Sequence, residues 1–209
     1  MRLVLASNNP GKLAEMQGLF APLGVQLVAQ GALDIGEAEE PHATFIENAL
    51  AKARHAAAAA AGAAIADDSG LVVDALGGAP GVASAHFANV TIDGGDREAR
   101  RRSQDAANNA LLLERLRGRL DRSARFVSTL VAVRSAADPE PLIAVGRWPA
   151  EIASSASGEG GFGYDPLVFI PALGKTVAEL GAAEKNSVSH RALAARQMLG
   201  LMREVWRLG

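Results

Sequence analysis

The sequence predicts an α/β fold built on a mixed sheet, and three observations carry that prediction. Short apolar runs of strand length alternate with helix-period segments from the N-terminus onward. The stretch 63–74 places an apolar run on either side of Asp67-Asp68-Ser69-Gly70. Two later runs of β-formers are joined only by a short Asp138-Pro139-Glu140-Pro141 connection, which suits antiparallel neighbours and breaks a purely parallel pattern. A chain of 209 residues is long enough for a well-packed core, and a single domain over 1–209 is expected.

Leu3 to Ala6 reads as a buried strand. The polar loop Ser7-Asn8-Asn9-Pro10-Gly11-Lys12 follows, and then a helix with Leu13, Met16, Phe20 and Leu23 at helical spacing. Such a loop offers backbone N–H groups, a positive helix end and the mobile charge of Lys12, all suited to phosphate, although a plain helix start explains it as well. It is not a Walker A loop, because Leu13 and not Ser or Thr follows Lys12. Val25 to Ala29 is a second strand. The acidic stretch Gly36 to Pro41 then leads to Thr44-Phe45-Ile46-Glu47, which has the form of a capping box. An alanine-rich helix runs from there to near Gly62, with Asn48 and Lys52 one turn apart on one face.

In Ala63 to Asp74 the two aspartates sit where a buried strand is expected to end. Successive strand residues point to opposite faces, so Asp67 and Asp68 cannot point the same way in extended chain. One is then free to face a ligand while the other is held by local hydrogen bonds. A simple Asp-Asp-Ser-Gly turn accounts for these residues equally well. The loop 76–82 is dense in glycine and proline and reads as shape. Asp93 to Leu116 is read as mostly helical, and its Arg97, Arg100, Arg101 and Arg102 as a solvated face with no assigned function. Phe126–Val133 and Leu142–Val145 are the β-former pair. Gly158 to Pro166 is a second glycine-rich loop, in which Phe162 has room to approach a flat ring and Asp165 can accept hydrogen bonds from a base edge. The chain closes with a helix whose stripe is Ala195, Met198, Leu199, Met202, Val205 and Trp206. His190 and Arg191 fall at its start, where the helix dipole disfavours cations, which points to a ligand or an acidic partner beside them. Trp148 and Trp206 suit an interface or an ordinary core equally.

Composition narrows the function classes. With 21 basic and 23 acidic residues no global field draws the protein to nucleic acid or an anionic membrane, so any phosphate binding is local. The absence of cysteine excludes disulfides, thiolate zinc and thiol nucleophiles. The first apolar run is too short for a signal sequence and no long apolar span follows, so a cytoplasmic location is expected.

Taken in order, Ser7 to Lys12, Thr44-Phe45-Ile46-Glu47-Asn48-Ala49 with Lys52-Ala53, Ala66 to Leu71, Gly161 to Pro166, and Glu184-Lys185-Asn186 with Ser189-His190-Arg191 resemble the dITP/XTP pyrophosphatase family. These are house-cleaning enzymes that hydrolyse inosine and xanthosine triphosphates. Two departures stand out: Ser7 replaces the family's usual Thr, and Ser84-Ala85-His86-Phe87 carries His86 where an arginine is customary. The resemblance implies an elongated central mixed sheet flanked by helices, two lobes around a nucleotide cleft, a homodimer, and Mg²⁺-dependent cleavage between the α and β phosphates to a nucleoside monophosphate and pyrophosphate.

Hydrolysis of a triphosphate needs cations on the phosphates and a base near the attacking water. Ser7, Asn8, Asn9, Pro10, Gly11 and Lys12, with Lys52, are the expected phosphate-side residues, and Ser69 is a further expected substrate-binding residue. The resemblance places the general base at Asp68, the second aspartate of Ala66-Asp67-Asp68-Ser69, with Asp67 as its support. Mg²⁺, which takes few carboxylates plus water and phosphate oxygens, suits Glu40 and Asp68, with Glu39 an alternative to Glu40. A 6-keto purine fits the donors of His190 and Arg191, while Phe162 can stack on the ring, Asp165 can accept from ring N–H groups and Lys185 can meet a keto group or the phosphates, with Gly163 and Tyr164 as further expected substrate-binding residues.

Overall fold

A computed structural model of the chain describes residues 1–92 and 94–208. Its elements are β1 (Arg2–Leu5), α1 (Pro10–Phe20), β2 (Gln26–Ala29), α2 (Phe45–Ala60), β3 (Ala64–Val73), α3 (Arg97–Arg115), β4 (Ser123–Val133), β5 (Leu142–Ile152), β6 (Val168–Ile170), β7 (Lys175–Thr176), α4 (Ala182–Val188) and α5 (His190–Val205), with short 3-10 turns between them. The strands form one sheet in the order β2-β1-β3-β4-β5-β6-β7. Strand β1 runs parallel to β2 and β3, whereas β6 runs antiparallel to β5 and β7, so the sheet is mixed as expected. Two compact units make up the chain: Met1–Ser69 with Ser128–Arg147 and Val188–Gly209, and Gly70–Val127 with Trp148–Ser187.

In the first unit, strand parity sorts the core into two faces. Leu3, Leu5, Ile65, Leu130, Ala132, Leu142 and Ala144 pack with Met16 and Phe20 of α1 and Ala194, Ala195, Met198 and Met202 of α5. Their neighbours in sequence, Val4, Ala6, Ala64, Ala66, Val131 and Val133, pack with Ala49, Ala53, Ala56 and Ala57 of α2. The small alanine side chains let α2 lie close to the sheet, which is the use this chain makes of its alanine run. Trp206 packs against the α1/α5 layer.

Local caps and element ends differ in detail from the sequence-based expectation. Asn9 caps α1 by accepting from the Gly11 and Lys12 amides. Thr44 Oγ1 accepts from Glu47 N, but the Glu47 carboxylate returns to the Thr44 hydroxyl, so only half of the capping box forms. Helix α2 ends at Ala60 with Ala61 itself in the left-handed region at φ 46°, one residue before the glycine expected to stop it. Strand β3 does not end at the aspartates. It runs unbroken through Asp67, Asp68, Ser69 and Gly70 to Val73, because apolar residues on both sides continue the buried ladder. The turn reading of that tetrapeptide is therefore wrong.

In the second unit α3 begins at Arg97, and Asp93, where the helix was expected to start, lies outside the described residues. Buried Asn108 of α3 donates to the carbonyls of Ser84 and Ala85 and accepts from Ala88 N. Ser84 Oγ accepts from Leu71 N on β3. Trp148 is buried.

Candidate active site

The pleat of β3 decides what each aspartate meets. Asp67 shares the parity of Ile65 and so faces α1 and α5, and Ser128, two residues before Leu130 on β4, belongs to the same face. Ser128 Oγ donates to Asp67 Oδ1 at 2.7 Å, Ser69 Oγ to Oδ2 at 3.0 Å, Arg191 Nε to Oδ2 at 3.2 Å, and Lys12 Nζ lies 3.0 Å from Oδ2. Arg191 also meets Glu15 of α1 and donates to Ser69 Oγ. Burial by itself raises the pKa of Asp67, but the Lys12 and Arg191 charges and the Ser128 hydroxyl outweigh it and hold the carboxyl well below its ordinary range. Asp67 is an anchor held in its ionised form at neutral pH.

Asp68 shares the parity of Ala64 and Ala66 and faces α2. There Lys52 Nζ donates to Asp68 Oδ1 at 2.6 Å and to Glu40 Oε2 at 3.0 Å. Of the two acids open at this position, Glu40 is the one that reaches Lys52. Asn48, one turn before Lys52, is buried; it accepts from His42 N and donates to His42 O, tying the end of the acidic loop to α2 two residues after Glu40. Burial pushes the Asp68 pKa up to about 6, with Lys52 pulling against it and Glu40 adding to it. Burial also presses on Glu40, yet the Lys52 charge holds its carboxyl below the usual value, and Lys52 is in turn raised, chiefly by Asp68 against its own burial. The adjacent aspartates thus have their pKa values driven apart, one held as an anion and the other raised to about 6, a pattern that makes this pair the candidate acid–base centre.

The same pair bears on metal binding. Two carboxylates converge on one cation, and Asp68 Oδ2 is buried and accepts from no donor among the described residues. Among those residues no group of three or more His, Asp or Glu side chains converges. Such a sparse oxygen set fits Mg²⁺, which keeps waters and takes substrate oxygens, and does not fit a metal that needs a full protein cage.

In the second unit, the loop 158–166 is built around Asp165. Its Oδ2 accepts from Phe162 N at 3.0 Å and from Lys185 Nζ at 2.8 Å, and the Lys185 ammonium lies 4.8 Å from the Phe162 ring centroid. A Cβ on Gly161, at φ 75°, would sit 2.0 Å from Asp165 Oδ2, so only glycine leaves the carboxylate in place. Gly163 is bound by α3, and Tyr164 donates its hydroxyl to Ser84 O, so both support the loop from within.

Residues 3–201 match the Ham1 family. The chain belongs to the Ham1 family. It is 69% identical to a dITP/XTP pyrophosphatase of Methylibium petroleiphilum, over 99% of each chain, and 66% identical to one of Leptothrix cholodnii over the full length of both. A HAM1 protein of Coxiella burnetii has a similar structure at TM-score 0.86 and 40% identity, covering 98% of this chain and all of that one. A structure described as a nucleoside-triphosphatase / dITP/XTP pyrophosphatase from Mycobacterium abscessus gives 0.72 and 39%, with 96% and 98% covered.

Within this Ham1 chain several expected roles shift. The amides of Ser7, Asn9, Gly11 and Lys12 already meet Leu5 O, Ser7 Oγ and Asn9 Oδ1, so Lys12 is the loop's main offer to phosphate. Asn8 donates to Glu37 and steadies the acidic stretch. Pro10 is the first residue of α1. Arg191 is buried, and each of its three guanidinium nitrogens has a protein acceptor: Asp67, Glu15 or Ser69. Its place is beneath β3, where it is the acidic-partner case expected for a cation at a helix start. Ser69 is the hydroxyl link in the same network, and His190 is the buried first residue of α5. The sequence singles out none of Glu15, Ser128, Asp105 and Asn109, and presents Arg101 only as part of a solvated face. Ser128 carries a signal in its parity with Leu130 on a predicted strand; Glu15 shows only when α1 and α5 are packed side by side.

Proposed function

We propose that the chain hydrolyses inosine and xanthosine triphosphates, in ribo or deoxy form, to the nucleoside monophosphate and pyrophosphate, clearing aberrant purine nucleotides. The observation that carries this is the split pair of adjacent aspartates, with Asp68 at about pKa 6 against Lys52 and Glu40. A 69% identical relative with the matching name supports the substrate class.

Asp68 takes the proton from the attacking water, and a pKa near 6 leaves it ionised at neutral pH yet basic enough to accept. The new bond forms from the water oxygen to phosphorus, the α–β anhydride bond breaks, and pyrophosphate leaves with the electron pair. Lys12 and Lys52 place positive charge on the phosphate oxygens, and Asp67 keeps β3 and Lys12 in register for that task. Mg²⁺, held by Asp68 and Glu40, supplies further charge neutralisation when bound. On the base side Phe162 offers a ring for stacking, while Lys185, oriented by Asp165, donates to a 6-keto oxygen. Adenine presents an amino donor at that position, and leaving a buried donor unpaired costs about 1–3 kcal/mol. Family resemblance also supports a homodimer at work in the cytoplasm, with no nucleic-acid partner. Among the described residues no helix is long and apolar enough to cross a membrane.

The test is pyrophosphate release from ITP, XTP, GTP and ATP, with and without Mg²⁺, for wild type and Asp68→Asn. Release from ITP and XTP, dependent on metal and lost in the variant, is expected. Binding of ITP without turnover would make the protein a nucleotide sensor, and orthophosphate as product would place the cleavage at another bond.

A further inference from the structure

Helix α3 carries a stripe that the base-side loop depends on. Arg101, Asp105 and Asn109 stand at i, i+4 and i+8, one above another on a single helix face. All three reach the same dipeptide. The Arg101 guanidinium lies 5.8 Å from the centroid of the Phe162 ring. Asp105 Oδ2 accepts from Gly163 N at 3.0 Å, and Asn109 Nδ2 donates to Gly163 O at 2.9 Å. Glu98, one turn earlier, holds the Arg101 fork at 2.7 Å.

Gly163 is thus gripped at both polar ends of its own residue, and at φ 63° its backbone has no preference of its own that would hold it there. The neighbouring ring also has the Lys185 ammonium, fixed by Asp165, 4.8 Å from its centroid. A ring that must stack on a purine gains from being set before the ligand arrives, because the ordering cost then falls on folding and not on binding.

We infer that Arg101, Asp105 and Asn109 are positioning residues for purine recognition, a side-chain stripe that fixes the Gly163 backbone and the Phe162 ring in the base-stacking geometry. The inference rests on the reading of Phe162 as the base-stacking residue. It gives a role to an arginine that the sequence presents as part of a solvated face; Arg100 and Arg102 remain exposed there.

The experiment compares Asp105→Ala, Asp105→Asn, Asn109→Ala, Arg101→Ala and Arg101→Lys with the wild type by amide hydrogen exchange over residues 161–165 and by steady-state kinetics with ITP and Mg²⁺. Losing a hydrogen bond at Gly163 is expected to speed loop exchange about tenfold and raise KM for ITP by about the same factor, with kcat within about twofold of wild type. Asp105→Asn keeps a carbonyl oxygen for the Gly163 N–H and restores both readouts. Arg101→Ala raises KM about threefold and Arg101→Lys recovers it, because either cation can sit on the ring. Unchanged exchange and KM in Asp105→Ala and Asn109→Ala would overturn the inference, as would damage from Asp105→Asn equal to that from Asp105→Ala. Were the wild type to leave ITP intact, the functional reading would fall by itself, and the exchange comparison would still decide whether the stripe holds the loop.

Discussion

Asp68 is ionised at neutral pH against the preference of its surroundings. Its folded pKa of about 6 lies above the ordinary 3.8, so the folded chain binds that proton more tightly than the unfolded chain. The sign follows: below about pH 4 the group costs nothing, and as pH rises to about 6 and beyond the folded state loses up to roughly 3 kcal/mol. Asp68→Asn mimics the protonated form. It is expected to raise the metal-free thermal midpoint at pH 8 by a few degrees, with the gain vanishing towards pH 4, while lowering turnover by about 10²-fold or more. Scanning calorimetry across pH, alongside pyrophosphate release, checks both halves. Asp67 has the opposite sign. Its depressed pKa contributes stability that is fully present above the ordinary carboxylate range and lost as pH falls through its lowered value. Asp67→Asn removes one of the two carboxylates that pair with the buried Arg191 charge, and a loss of about 3–5 kcal/mol in urea unfolding is expected at pH 7. A variant as stable as wild type would show that Asp67 is not the anchor described.

At the scale of elements, the first turn of α5 is seated by a single strand position. A Cβ on Gly146 of β5 would lie 1.9 Å from His190 O and 2.6 Å from Ala194 N, both backbone atoms that cannot swing aside. The glycine therefore lets α5 approach β5 closely enough for Arg191 to reach Asp67. Gly146→Ala is expected to push the helix start outward, destabilise the chain by about 1–3 kcal/mol or more, and lower activity through the loosened Asp67 network. Denaturant unfolding and ITP turnover measured together test this coupling: an unchanged kcat in a clearly destabilised variant would separate the helix seat from the catalytic strand.

For the whole molecule, the proposed reaction predicts linkage between ligand and stability. A nucleotide that binds only the folded chain raises its stability by about 2.7 kcal/mol at one hundred times Kd. Mg²⁺ with ITP is expected to raise the thermal midpoint of the Asp68→Asn variant, and ATP to raise it far less. Equal shifts with ITP and ATP would mean that the 6-position is not read.

Local physics settled much of this protein in advance. Apolar period placed β1, α1, α2, β4 and α5, and strand alternation alone required Asp67 and Asp68 to part company, because adjacent Cβ atoms in extended chain cannot share a face. Ordered motifs over the whole chain pointed to the family. What remained hidden is what several segments decide jointly. Asp, Ser and Gly have turn propensity, and only the place of β3 within the sheet overrides it. An arginine at a helix start looks the same whether it meets a base or a carboxylate, and only the packing of α1, β3 and α5 in one layer brings Glu15 and Asp67 to Arg191. The stripe on α3 is visible as spacing, yet a solvated face and a loop clamp have the same spacing. Which one it is depends on what lies opposite, and contacts between residues 105 and 163 exist only in the folded chain.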